Sequence, residues 1–593
     1  MIRIANISGA TGDDPRAMKR MVEKEEIDAI TGDFLSEMNI SWNSIEMQTT
    51  PSSGYDKGFL YQFEQSVDAI AAKCVKLVTN AGALNPTELA RRVREVVVNH
   101  GKDLKVSVVV GDNITDQIGK EEFRHLDNGS PISTWDRKPH VAVAYTGCRA
   151  IVAALNAGSD IVICGRVTDA SPVIGLAAWW HKWNLDQGFY DELAGSLVAG
   201  HLIECGPYLT GANFSGFRSH VDKSLVELGF PIAEIYADGT TVVTKEKETA
   251  GFVQVDNVTA QVLYELQGEL YLNPDVVADI STVELESVGN DRVKVKNVKG
   301  FPPPSTSKVI VNAIGGYQVQ ALFFINGLNV NEKVQMMKNQ LNSAFRNSNF
   351  KKLVISVIGA PQENSRVQSL GTCVLRVFVQ AERMEDVDFV HFKQLVYAIR
   401  MQSYPGYHMD LDFRMMEPKL FMELWPTTVD QANIKQSVIL WDGKVIEVGA
   451  PSLFSDIPRE RPSYETAHPL LLSTFGETQI VPLGTIVHAR SGDKANNSNV
   501  GFFVRHEDEY PWLQSLLTVE KLKELLGDEN RDGIRIERCE FPLLKAVHFR
   551  IIDFLDGGIA SSSRIDGLGK GVGEFLRARL VPVPIKFISR GVI

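Results

Sequence analysis

Over about the first 200 residues, short unbroken apolar runs alternate with segments of helical spacing, and each run ends in a glycine turn carrying a carboxylate or an amide. The pattern reads RIANISGATGDDP, DAITGDFLSE, KLVTNAGALNPTEL, VSVVVGDNITD and DIVICGRVTDASP. Continuous Val/Ile/Leu runs between helices mark strands covered on both faces, so the pattern predicts an α/β fold with a mainly parallel sheet of βα units. Asp14-Pro15, Asn85-Pro86 (with Glu88 placed as in a capping box) and Ser171-Pro172 set a capping residue before a proline, which predicts three helix starts. The polar turns then fall at the carboxyl edge of the sheet, where open parallel sheets bind ligands.

From about Phe230 to about Asp430 the pattern changes. YLNPDVVADI reads as a loop closing onto a strand, GFPPPSTSKVIVNAIGGY as a proline brake before a strand, and FVHFKQLVYAIRM has helical spacing. This predicts either a continuation of the α/β domain or a second lobe from about residue 230, within a large domain spanning 1–447. GAPSLFSDIPRERPSYETAHP, rich in Pro, Ser and charge, marks a linker over 448–479. Residues 480–593 predict a small α+β domain: a hairpin around VHARSGDKANNSNVGFF, the amphipathic helix TVEKLKELLG, strands in RIERCEFPLLKAVHFRIIDFL, a glycine-rich helix start and a last strand in LVPVPIKFI. Two helices against a few antiparallel strands point to a ferredoxin-like plait.

A length of 593 residues exceeds what one core supports, in keeping with this division. The 61 basic residues are outnumbered by 73 acidic ones, a net charge of −12, and no long Lys/Arg run occurs. That balance argues against nucleic acid or an anionic membrane as partner. No stretch approaches the ~20 apolar residues needed to span a bilayer. The N-terminus reads as a strand entering a turn, without the apolar core of a signal peptide or an Arg-rich presequence. Six scattered cysteines without a CxxC pair point to a reducing, cytoplasmic setting.

The strand ends carry the first candidate chemistry. Ser8, Gly9, Thr11 and Gly12, then Asp33, then Asn80 and Gly82, then Asp112, then Arg166, Thr168 and Asp169 are expected to converge on one sheet edge. Glycine admits a ligand to the backbone, while Arg166 and helix N-termini favour an anion. Singly, each turn is ordinary Gly-Asp chemistry; five in succession predict a site. SGATGDD is not GxGxxG and no GxxxxGK[ST] occurs, so NAD and ATP are unsupported. No cofactor is expected; the alternative is Mg²⁺ on the hard oxygen ligands Asp33, Asp112 and Asp169, and no HxH or HExxH spacing supports zinc.

HLIECGPYLTGANFSGF carries a second set. His201 and Glu204, one helical turn apart, are candidates for an acid/base pair, Cys205 for a nucleophile activated by His201, and Asn213 for a binding group. The competing reading is a buried corner with satisfied polar groups. A third set is Arg490, Ser491, Asp493, Lys494 and Asn497 in the hairpin, with Arg564 in DGGIASSSRIDGLGKGVGEF. These are binding loops, or else a solvated turn and a flexible connection.

Together RIANISGATGDDP, DFLSE, TNAGALNP, VVVGDN, CGRVTDASP, ECGPYLTGANFSGF, NPDVVADI and ARSGDKANNSNVG span nearly the whole chain, and they resemble the acyclic terpene utilisation protein A family. The resemblance implies a large N-terminal domain with a ferredoxin-fold-like C-terminal one. It also implies a place in citronellol and geraniol catabolism, where substrates are branched acyl-CoA thioesters, but supplies no catalytic residues to carry over. The expected function is an enzyme of lyase or hydratase type acting on an acyl-CoA thioester or a related branched carboxylate. In that reading Asp33, Asp112 or Asp169 is the base, and His201 with Glu204 shuttles the proton. Arg166 holds an anionic group, while Arg490, Lys494 and Arg564 meet a CoA phosphate or carboxylate. The alternatives are a metabolite-binding scaffold subunit and a hydrolase using Cys205. A small-molecule partner and a homo-oligomer are expected.

Overall fold

The five apolar runs form strands Ile2–Asn6, Ala29–Gly32, Lys76–Thr79, Val106–Val110 and Ile161–Cys164 in a computed structural model that describes residues 1–593 apart from 224 and 459. They pair in parallel, with Ile161–Cys164 lying between Lys76–Thr79 and Val106–Val110. Alternate side chains feed two cores: Val162 and Cys164 enter one, Ile161 and Ile163 the other. Burial on both faces explains why these runs show no polar alternation.

The sheet grows to eleven strands by antiparallel additions. Pro231–Ile235, Thr241–Lys245, Arg292–Lys296 and Glu284–Gly289 extend one flank; Gln436–Ile439 and Val445–Val448 extend the other. The expectation of a mainly parallel sheet is therefore corrected to a mixed sheet, parallel at its centre. Short turns join Pro231–Ile235 to Thr241–Lys245, Glu284–Gly289 to Arg292–Lys296 and Gln436–Ile439 to Val445–Val448, and a short turn can join only antiparallel neighbours.

Of the three predicted caps, Asn85 behaves as expected, its side chain accepting the Glu88 N–H at 3.4 Å. The other two starts are displaced. Asp14 is engaged by Arg20 at 2.6 Å, and its helix begins at Ala17; Ser171 is the first helical residue, and its hydroxyl meets Thr168.

A second sheet is built on the 21-residue strand Thr306–Asn326, which pairs with Thr372–Ala381, Lys419–Asp430 and Pro139–Ala144. Because the strands after Phe230 extend the first sheet, this lobe gathers around Thr306 rather than residue 230. One of its strands, Pro139–Ala144, comes from the early part of the chain.

In the C-terminal domain, His488–Lys494, Asn497–Phe503, Ala546–Ile551 and Ile536–Phe541 form an antiparallel sheet in that spatial order. Hairpin, helices Tyr510–Leu516 and Val519–Leu526, hairpin, then helix Val572–Arg577 is the βαββαβ plait opened at a different point. Leu580–Pro584 leaves this sheet and pairs with Thr478–Pro482. Within residues 448–479 the only helical turn is Leu472–Phe475, among the described residues.

The C-terminal domain has a core of its own, with Leu483, Val500, Trp512 and Phe549 in it, and it also shares an apolar layer with the large domain. Phe503, Cys539, Phe541, Leu544 and Ala546 belong to the same apolar cluster as Leu202, Leu263 and Val283 of the large domain. All six cysteines are free, four of them buried. Among the described residues no helix is long and apolar enough to cross a membrane.

Candidate active site

The strand Ile161–Cys164 ends at Gly165, where an added Cβ would lie 2.5 Å from Asp112 Oδ2. Asp112 uses that closeness to accept the Arg166 backbone N–H at 2.7 Å. It thereby fixes the turn rather than facing the cavity described below. Arg166 is 1% exposed; its Nε donates to the Val167 carbonyl at 2.7 Å, and its Nη2 pairs with Asp169. The guanidinium also lies over the Tyr145 ring, 4.3 Å from the centroid.

Three carboxyl groups share this charge. Burial, and next the Asp169 charge, raise Asp33 to about 7, while Asn80 donates to its Oδ1. Burial, then Asp169 and Asp33, push Glu204 well above the carboxylate range. Burial also acts to raise Asp169, but Arg166 and then Lys494 outweigh it and hold Asp169 below its ordinary value. Asp169 is thus the ionised member, Glu204 keeps its proton, and Asp33 exchanges its proton near neutral pH.

This arrangement gives Asp33 a pH signature. Its folded pKa of about 7 exceeds the ordinary 3.8, so its contribution to stability is full below about pH 4 and is lost as pH rises through about 7. Thermal unfolding is expected to fall between about pH 5 and pH 8 and to fall less steeply in Asp33→Asn. Parallel profiles for the two proteins would contradict the assignment. Asp493, raised to about 7 by burial and then by Glu265 and Glu37, leaves a residual slope of the same sign.

The C-terminal hairpin supplies the cation. Its two-residue turn, Ala495-Asn496, has Ala495 at φ +52°, the left-handed backbone such turns need, and this sets Lys494 at the tip. Lys494 pairs with Glu265 of the large domain. Burial opposes its charge, but Glu265, Asp169 and Glu37 outweigh burial and hold its pKa well above the usual lysine value. Glu37 accepts from Lys308 at 3.1 Å and from the Tyr145 hydroxyl at 3.2 Å. Despite burial, Lys308 and Lys494 keep it far below the carboxylate range.

Some of these groups open onto a cavity of about 220 Å³, while Asp33, Glu37, Arg166 and Glu204 do not line it. Tyr145, Thr168, Asp169, Glu265, Tyr271, Lys308 and Lys494 line it, together with Asp127, Arg461, Asn497 and Arg550. Leu266, Leu270, Leu272, Pro304 and Pro426 make its walls largely apolar. Thr168 is held by the Asn273 amide, which donates to its hydroxyl at 2.7 Å. Every part of the chain contributes: strand-end loops, the second sheet, the linker and the C-terminal hairpin.

Other predicted residues lie elsewhere. The first loop closes on itself, with Ser8 Oγ donating to the Ala10 carbonyl at 2.8 Å, Gly9 N–H to Asp13 at 3.0 Å and Thr11 to Asp56; Gly12 is exposed. Gly82 packs where an added Cβ would collide with the Cys164 carbonyl. Buried His201, its pKa lowered by desolvation, sets Nε2 3.3 Å from the Val262 carbonyl and its ring edge-on to Tyr271. Burial and then Glu204 push the Cys205 thiol well up, which leaves it protonated rather than nucleophilic.

Arg490 stacks on Tyr208 and Tyr264 and donates to the carbonyl of Asn213, a residue in the left-handed region. Ser491 Oγ donates to the Lys570 carbonyl at 3.0 Å, and Arg564 pairs with Glu529 at 2.8 Å. These contacts pin the hairpin and the glycine-rich loop in place; none of the three residues lines the cavity.

Sequence reasoning missed Glu37, Tyr145, Glu265, Tyr271 and Lys308. Tyr145 had a signal, since VAVAYTG ends an apolar run in the same kind of turn; Lys308 had none. Among the described residues no three His, Cys, Asp or Glu side chains are grouped to hold a metal ion.

Residues 2–440 match the family model described as acyclic terpene utilisation family protein AtuA, and residues 481–582 match the AtuA ferredoxin-like domain. No curated protein and no solved structure matches the chain. The two matched segments meet at the cavity, and the chain belongs to the acyclic terpene utilisation AtuA family.

Proposed function

We propose that the cavity is the active site of an enzyme of lyase or hydratase type, acting on an acyl-CoA thioester or a related branched carboxylate in terpenoid or secondary-metabolite catabolism. The observation that carries this reading is Lys494, which the C-terminal hairpin delivers to a cavity wall shared with the ionised Asp169. Breaking or hydrating a bond beside a carbonyl needs a base, an acid and a cation for the developing enolate oxygen. Asp169 fits the base. Lys494 and Lys308 are cations on the same cavity, suited to the enolate oxygen. Glu204, protonated beside Asp169, and Asp33, which exchanges its proton near neutral pH, fit the proton return. The leucine and proline walls suit a branched apolar chain. A homo-oligomer acting on a small molecule is part of this reading.

Turnover of a panel of branched acyl-CoA thioesters and free branched acids tests it. Lys494→Met is expected to lower kcat by about 10²–10³, the effect of removing one preorganised oxyanion donor. Because Lys494 also pairs with Glu265, the double variant Lys494→Met/Glu265→Gln separates folding from chemistry. If the double variant is folded and turns over at the unmodified rate, the reading fails.

A further inference from the structure

Arg461 enters the cavity wall from the segment that joins the two domains. One of its nitrogens, Nη1, donates to the Gln267 carbonyl. Among the described residues no carboxylate forms an ion pair with it. The neighbouring cation is already engaged: Arg550 binds Asp127 through Nη2 and Glu537 through Nη1, the latter at 3.0 Å, and Glu537 also takes Arg535. Three arginines thus face two carboxylates, and Arg461 is the surplus charge.

Burial, and then repulsion from Arg550, draw its pKa down to about 10, which still leaves it fully charged near neutrality. A guanidinium offers five N–H donors in one plane, matched to the two oxygens of a carboxylate or phosphate. Here the protein is seen to use one, and the group sits half-buried on the cavity with no paired carboxylate among the described residues. Such a cation is stabilised by an arriving anion.

We infer that Arg461 binds an oxyanion of the ligand, a carboxylate or phosphate group, at a point of the cavity separate from Asp169. The charges bearing most on Arg461 are Arg550, Glu537 and Asp127; those on Asp169 are Arg166, Lys494 and Glu37. The inference rests on the reading above only in taking the cavity as the substrate site. It adds that the substrate is bipolar: a reacting group at Asp169, an apolar middle along Leu266 and Leu270, and an anionic end at the linker.

Isothermal titration of the full chain with octanoate, coenzyme A and inorganic phosphate tests this. At least one probe is expected to bind, and Arg461→Gln is expected to weaken that probe by about ten- to hundredfold, the size of a charge-assisted hydrogen bond. Arg461→Lys, which keeps the charge but loses the fork, is expected to recover part of the affinity. Loss confined to octanoate assigns a carboxylate; loss confined to coenzyme A or phosphate assigns a phosphate group. Equal affinity in Arg461→Gln, or no binding of any probe to the unmodified protein, overturns the inference. Unchanged turnover in the folded Lys494→Met/Glu265→Gln protein, with affinity lost in Arg461→Gln, would reject the catalytic reading and keep the anion site. The reverse pair of results would do the opposite.

Discussion

An Arg166→Met protein is expected to lose about 3–5 kcal/mol of folding stability, the usual cost of removing one partner from a buried ion pair. Methionine replaces the aliphatic stem but none of the guanidinium. Asp169 loses its strongest counter-charge, the Val167 carbonyl its side-chain donor, and the Tyr145 ring one of its two cations, Lys308 being the other. Asp169 then answers by taking up a proton, which recovers part of the loss. For that reason Arg166→Met/Asp169→Asn is expected to be more stable than the sum of the single effects predicts, since the two residues touch. Urea unfolding at neutral pH measures this directly. A loss below about 1 kcal/mol for Arg166→Met would mean that the buried pair does not hold the strand-end turn.

The largest loss of activity is expected from Asp169→Asn. Removing a positioned general base costs about 10²–10⁴ in rate, and asparagine keeps the shape while giving up the charge. The change is expected in kcat more than in KM, because in the proposed reaction Asp169 acts on the proton rather than anchoring the anionic end. The substitution also removes the charge that raises Asp33 and Glu204, so both pKa values move down towards the ordinary range. A residual pH–rate profile shifted to lower pH would report that coupling. Full turnover by folded Asp169→Asn would remove Asp169 from the chemistry.

Much of this was legible in the chain. Unbroken runs such as IVIC and VSVVV gave the parallel centre of the sheet, because burial on both faces suppresses polar alternation. Arg166, Asp169 and Asp33 were visible because turn chemistry at strand ends is local. The antiparallel flanks were not: the flanking strands within residues 231–296 and 436–448 have ordinary strand patterns, and nothing in a strand's own periodicity names its neighbour. Lys308 lies inside a strand whose partners come from remote parts of the chain, and Glu265 just beyond helix Val255–Leu263. Their roles depend on long-range pairing alone. The arginines of the C-terminal domain show the same limit, since Arg490 stacks on two tyrosines and Arg564 pairs with Glu529. The same residue type is put to two structural uses that no spacing distinguishes.

The apolar cluster shared between the domains has a consequence for synthesis on the ribosome. Gly501 lies so close to Leu263 that an added Cβ would be 2.8 Å from it, and Phe503, Phe541 and Ala546 complete the same layer. At about 5–20 residues per second, the large domain waits roughly ten seconds for the last hundred or so residues to emerge before that layer can close. During the interval it presents an unsealed apolar face, the kind of surface chaperones hold. A chain terminated before this hairpin never closes the layer and never brings Lys494 to the cavity.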